Sequence, residues 1–214
     1  TGNFGDIFAG YVARQMGLPI HQLIIATNQN DILARTLESG RYETGKVVPS
    51  MSPSMDIQVS SNFERLLFDL YDRDGEAVNA RMNSLAQSGG FELGEAALEK
   101  ARALFAAARA SEEETAETIS RLFKETGRLI DPHTAVGIKA AEECGDDKAV
   151  PMVTLSTAHP AKFPAPVEKV TGEHAALPAR MADLFEREER LDTLPNDVKT
   201  LADFIRARAR TGDA

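Results

Sequence analysis

Apolar residues at Ile7, Phe8, Tyr11 and Val12 recur as one face of a helix, which begins directly behind the polar turn Thr1-Gly2-Asn3-Phe4-Gly5-Asp6 and ends near Gly17-Leu18-Pro19. The period then changes. Ile20 to Thr27, centred on Leu23-Ile24-Ile25, reads as a buried strand, and Asn30-Asp31 opens a helix through Ile32, Leu33 and Leu37 to Gly40. Helix, strand and helix in so short a span predict right-handed crossovers onto a parallel sheet flanked by helices. That is an α/β fold, in which ligands gather at the carboxyl ends of strands.

Lys46 to Asp56 is irregular, with Pro49, Pro53 and three serines, and leads into a helical stripe at Phe63, Leu66, Leu67 and Leu70. From Glu76 to Gly127 the pattern reads as mostly helical. Leu98, Ala101, Leu104, Phe105 and Ala108 make one stripe, and Ser111-Glu112-Glu113-Glu114 offers a capping box ahead of Ile119, Leu122 and Phe123. Leu129-Ile130 reads as a short strand, followed by Asp131 as N-cap, Pro132 at the first helical position and a helix to Gly145. Val150 to Leu155 reads as a further strand, emptying into Ser156-Thr157-Ala158-His159-Pro160-Ala161-Lys162-Phe163. An α/β domain is therefore expected over residues 1–170, with inserted helices around 62–126. The highly charged residues 171–214 read as a helical extension, with Met181, Leu184 and Phe185 on one helix and Val198, Leu201, Phe204 and Ile205 on another.

Composition narrows the classes of function. With 43% hydrophobic residues over 214 positions the chain has enough apolar material for a real core, so disorder is not the default. A net charge of -9 and the lack of a dense Lys/Arg cluster argue against a nucleic-acid partner. The single cysteine, Cys144, supports neither a disulfide framework nor a cysteine metal site, and it reads as an unreactive helix-end residue. His21 and His174 have no partner at zinc spacing. No apolar run is long enough for a membrane span and no secretion signal opens the chain, so a reducing cytoplasm is the expected compartment. The first residue is not methionine, and the opening turn ought to follow a strand, so sequence upstream is expected to be missing.

The chemistry concentrates in two places. Gly2 and Gly5 flank a short polar turn whose backbone N–H groups can converge on one point, and the helix behind it adds open N–H groups and the positive end of its dipole. A phosphate fits such a cradle, although a Gly-x-x-Gly turn also serves as plain punctuation. The second place is the polar run Ser156 to Phe163 at the end of an expected strand.

Four motifs in order carry a resemblance. They are Thr1-Gly2-Asn3-Phe4-Gly5-Asp6, Ser52-Pro53-Ser54-Met55-Asp56-Ile57 through Asn62-Phe63-Glu64-Arg65, Asp131-Pro132-His133-Thr134-Ala135, and Ser156 through Phe163. Together they closely resemble the threonine synthase family, pyridoxal-phosphate enzymes of the second fold type, over most of the chain and least distinctly over the last forty or so residues. The resemblance implies the carboxyl-terminal half of an enzyme that converts O-phospho-L-homoserine and water to L-threonine and phosphate. It places the 5'-phosphate of pyridoxal phosphate on Gly2, Asn3, Phe4 and Gly5, with Asp6 closing the turn. Thr157 falls opposite the pyridine nitrogen, with Ser156 as the neighbouring alternative. Asn62 and Arg65, followed by Lys162, are candidates for the substrate phosphate. His133 and His159 lie inside family-like motifs and serve either near the cofactor or as structural histidines. The lysine that forms the Schiff base with the cofactor lies in the part that would precede Thr1, and no lysine here occupies that motif. The chain alone is therefore expected to be inactive and to require the amino-terminal half of the same enzyme. Two alternatives stand beside this reading: a phospho-lyase paralogue releasing phosphate and a 2-oxo acid, and a non-catalytic α/β interaction module supported only by the charged tail.

Overall fold

The computed structural model describes residues 2–145 and 149–209, and its chain falls into two compact units, 1–176 and 177–214. The first unit is built on two parallel strands, β1 (Leu23–Thr27) and β4 (Phe105–Arg109), paired in register from Leu23 opposite Phe105 to Thr27 opposite Arg109. α1 (Gly5–Gln15) precedes β1, and between the two strands in the chain lie α2 (Ile32–Ser39), β2 (Arg41–Glu43), α3 (Phe63–Leu70), α4 (Gly75–Ser88), β3 (Gly90–Glu92) and α5 (Glu95–Arg102). β2 and β3 form a separate antiparallel pair. After β4 come α6 (Glu112–Thr126), α7 (Pro132–Cys144) and α8 (Pro164–Thr171).

Strand alternation sends side chains of β1 and β4 to two different layers. Ile25 and Phe105 join the larger core, where Phe4, Ile7, Phe63, Leu66, Leu67 and Tyr42 are buried. Ala26 and Ala108 face α7 and pack against Val136 and Ala140, small residues on both sides that let helix and sheet approach closely. An aromatic run ties the larger core together: Tyr42 stacks on Phe63 and Phe91 with centroids 5.5 and 4.8 Å apart. The Tyr42 hydroxyl is satisfied by the Ser60 N–H at 2.7 Å, and burial pushes its pKa up.

The stretch around Leu98 to Ala108 corrects the sequence reading. It is not one helical stripe. α5 stops at Arg102, whose guanidinium reaches the carbonyls of Leu37 and Glu38 at the end of α2, and the chain turns at Ala103-Leu104 into β4. Alanine suits either element, and the pairing that decides for a strand comes from β1, some eighty residues away. β3 lies inside the stretch read as mostly helical, and β2 at residues to which the sequence reading gives no element; each is only three residues long. Leu129-Ile130 and Val150–Leu155 are not in strands. The latter runs beside α7, since a Cβ on Gly137 would meet Thr154 at 2.9 Å and one on Gly145 would meet Met152 at 3.1 Å. Apolar content alone does not make a strand without a ladder partner.

Both sequence-read caps are formed. Ser111 and Glu114 make a reciprocal capping box on α6, and Asp131 accepts from the N–H groups of His133 and Thr134 with Pro132 leading α7. The second unit contains α9 (Val198–Arg208), capped by Asp197 on the Thr200 N–H, with two short 3-10 turns before it. Among the described residues no helix is long and apolar enough to cross a membrane.

Candidate functional site

The Gly2–Asp6 turn owes its shape to Phe4. Its φ of +60° lies in the left-handed region, which an L residue enters at a cost of about 1–2 kcal/mol. The ring offsets that cost by burying completely, edge-on to Phe63 with centroids 5.3 Å apart and 5.8 Å from Phe105. The backbone turn is thereby pinned while Gly5 and Asp6 stay exposed. Phe4 gives α1 no side-chain cap, so among the described residues the N–H groups of its first turn remain open to an anion.

Two neighbours brace this turn. Asn3 Oδ1 accepts from the Ser61 N–H at 2.6 Å and its hydroxyl at 2.9 Å, and Asn62 Nδ2 donates to the Asn3 carbonyl at 2.9 Å. A sequence-read substrate candidate, Asn62, is thus engaged by the cradle itself. On the other side Gly2 abuts the 3-10 turn Pro53–Met55: a Cβ there would lie 2.7 Å from the Ser54 carbonyl oxygen and 2.8 Å from Met55 Cα. Gly5 has room, its nearest such contact being Asn62 at 3.8 Å.

Residues 48–56 cross the carboxyl ends of β1 and β4, held by a polar network. Asp56 accepts from the Ser50 N–H and hydroxyl at 2.8 and 2.6 Å, and from the amides of Asn28 and Asn30 at 2.9 and 3.0 Å. Asn30 also bonds both ways with Val48, and Glu112, just beyond β4, takes the Met51 N–H at 3.1 Å. Burial pushes the Glu112 carboxyl upward, and the neighbouring Asp56 charge adds to this against the pull of the Met51 N–H. Asn28, Asn30 and Ser52 are buried.

The start of α7 completes the cluster. Asp131 is fully buried and His133 nearly so. Asp131 Oδ1 takes the His133 N–H at 2.9 Å and its Nδ1 at 2.8 Å, while Oδ2 bonds with Thr134. Burial alone would raise the Asp131 carboxyl, but these hydrogen bonds outweigh it and hold the group below its ordinary value. His133 Nε2 accepts the Ser54 N–H at 3.1 Å, and the ring lies 4.5 Å from that of Phe163. Thr134 Oγ1 is 3.3 Å from Ser156 Oγ, beside the exposed Thr157.

The remaining sequence candidates sit at the rim. Arg65 is exposed on α3, its guanidinium 6.0 Å from the centre of the Phe8 ring on α1, and Lys162 is exposed with Nζ 5.5 Å from the Phe163 ring centre. His159 caps its own 3-10 turn by accepting the Ala161 N–H. Cys144 ends α7 half-buried, with burial and then Glu143 pushing its thiol upward, which suits an unreactive residue. Sequence reading gave no site role to Asn28, Asn30 or Asp56, although Asp56 lies inside the Ser52–Ile57 motif. Their one local signal is Asn-x-Asn directly after a strand, ahead of a serine-rich loop. Contacts thus run unbroken from Gly2 through Ser54 and His133 to Asp131, Thr134 and Ser156.

A family model described as threonine synthase, C-terminal, matches residues 134–205. A threonine synthase from Pseudomonas aeruginosa is 53% identical over 213 residues, 99% of this chain and 45% of that protein. The chain belongs to the threonine synthase family. A solved structure of pyridoxal-phosphate-bound threonine synthase from Brucella melitensis, also 53% identical, aligns over 98% of this chain and 45% of its own with a TM-score of 0.88. That of threonine synthase from yeast, 40% identical, aligns over 96% and 45% with a TM-score of 0.84. The chain therefore spans rather less than half the length of these threonine synthases, and the α/β arrangement around β1 and β4 is that of their carboxyl-terminal part.

Proposed function

We propose that this chain is the carboxyl-terminal part of a pyridoxal-phosphate-dependent threonine synthase of the second fold type, acting in the cytoplasm on O-phospho-L-homoserine and water to give L-threonine and phosphate. The observation that carries the reading is the turn at Phe4, left-handed, pinned by its buried ring and opening onto the uncapped start of α1, in a chain 53% identical to a threonine synthase. The residues present fit a phosphorylated cofactor. Gly5 leaves space before open N–H groups, and the turn behind Gly2 is too close for any other residue.

Bound there, pyridoxal phosphate would supply the electron-accepting ring through which bonds at the substrate's carbons are loosened. The chain's own residues do the rest. The N–H groups of Gly2, Asn3, Phe4 and Gly5 would bind the cofactor phosphate, Asp6 would close the turn, and Asn3 and Asn62 keep its carbonyls and amides aligned. Thr157, with Ser156 as its neighbour, offers a neutral hydroxyl to the pyridine nitrogen. Arg65 and Lys162 are cations for the substrate phosphate, where they would counter the charge that develops as it leaves; Asn62 would add an amide at the same edge. The lysine that carries the cofactor is assigned to the remainder of the enzyme.

The test is turnover of O-phospho-L-homoserine by the chain extended to the full length of its relatives, with cofactor absorbance recorded alongside. Equal amounts of threonine and phosphate are expected, and none from residues 1–214 alone. Phosphate with a 2-oxo acid would replace the synthase by a phospho-lyase, and no cofactor absorbance would overturn the cradle.

A further inference from the structure

His133 is the point at which three loops meet. Its ring touches Asp131 at the start of α7, the Pro53–Met55 turn and Phe163 in the Ser156–Phe163 run. The Ser54 N–H donates to Nε2, so that nitrogen carries no proton and Nδ1–H donates to Asp131. One tautomer satisfies both partners. Within the Ser52–Asp56 turn, the N–H groups of Ser52, Met55 and Asp56 bond inside the loop, to Ser50, Ser52 and Pro53, and Pro53 has none. The Ser54 N–H is the one that leaves the loop, and the Ser54 carbonyl and Met55 Cα form the wall against Gly2.

We propose that His133 is a positioning residue for the phosphate cradle: with its tautomer fixed by Asp131, it draws the Ser54–Met55 wall into place behind Gly2 and ties that wall to the Phe163 end of the Ser156–Phe163 run. This rests on the reading of Gly2–Asp6 as the cofactor cradle. The wall keeps a second anchor in Met55, buried beside Val136 and Ala140, so losing the imidazole loosens the wall without removing it.

The test uses the full-length enzyme and reads cofactor retention by absorbance after equilibrium dialysis. His133→Leu keeps the bulk but loses the acceptor for the Ser54 N–H together with the Nδ1–H to Asp131, and retention should fall on the order of tenfold, the effect of losing the bond that holds the wall. His133→Gln forgoes the same ring contact with Phe163 but presents an amide oxygen to the Ser54 N–H, and should restore most of the loss. Equal retention in the two variants, or wild-type retention in His133→Leu, overturns the proposal. A second readout needs no variant to fold well: carbon and nitrogen shifts of labelled histidine should report the Nδ1–H tautomer at position 133, and the Nε2–H tautomer would overturn the assignment. Gly5→Val separates the two levels. If it weakens retention while His133→Leu does not, the cradle stands and the role of His133 falls. If Gly5→Val changes nothing, the cradle reading itself falls and the proposal with it.

Discussion

Gly2 and Gly5 flank one turn but are glycine for different reasons. A Cβ on Gly2 meets backbone at 2.7 and 2.8 Å, and backbone cannot rotate away as a side-chain end can, whereas a Cβ on Gly5 meets nothing closer than 3.8 Å. Gly2→Val should therefore lower both thermal stability, by about 1–3 kcal/mol of overpacking, and cofactor retention in the full-length enzyme. Gly5→Val should lower retention alone by covering the open N–H groups at the start of α1. Melting curves and cofactor titrations of the two variants check this, and equal loss of stability in both would refute the distinction.

The capping box of α6 is the clearest case of an element whose start is set by adjacent residues. Ser111 Oγ takes the Glu114 N–H at 3.2 Å and Glu114 returns the bond to the Ser111 N–H at 2.9 Å. Ser111→Ala should cost about 1 kcal/mol in urea denaturation, and a change within error would place the strength of that terminus elsewhere. Such local signals explain what the sequence made legible: α1, α2, α6 and α7 follow from periodicity with a cap or a glycine stop, and β1 and α3 from their apolar pattern alone. What was not legible depends on distant partners. Ala106 to Ala108 becomes strand because Ile24 to Ala26 lie opposite, whereas Val150 to Leu155 has no such opposite number among the described residues. At the candidate site the glycine turn and the Asp131-Pro132 cap were readable. The burial of His133 against Ser54, 79 positions away, and the gathering of Asn28 and Asn30 on Asp56 were not.

The whole chain is acidic, with a net charge of -9, and its carboxylates do not respond to acid alike. Asp131 and Glu114 are held below their ordinary values in the folded chain, Asp131 by hydrogen bonds that outweigh its burial and Glu114 chiefly by the Ser111 N–H. A carboxyl depressed on folding adds stability that is complete above its unfolded value and is lost as pH falls through the folded one. Glu112 has the opposite sign, since burial favours its protonated form and its ionisation costs stability as pH rises through the raised value. Denaturant midpoints should fall below about pH 4 in the parent and less steeply in Asp131→Asn, which is already weaker at neutral pH; Glu112→Gln should be at least as stable as the parent at pH 7. Parallel acid limbs for the parent and Asp131→Asn would remove Asp131 from this account. One further consequence belongs to Phe4. Its ring is a core residue and its backbone is the hinge of the cradle, so whatever occupies the cradle selects the same backbone geometry that seats the ring between Phe63 and Phe105. In the proposed cradle, occupancy and folding would then draw on one equilibrium: a bound phosphate group would shield the core from transient opening, and a loosened core would release the phosphate.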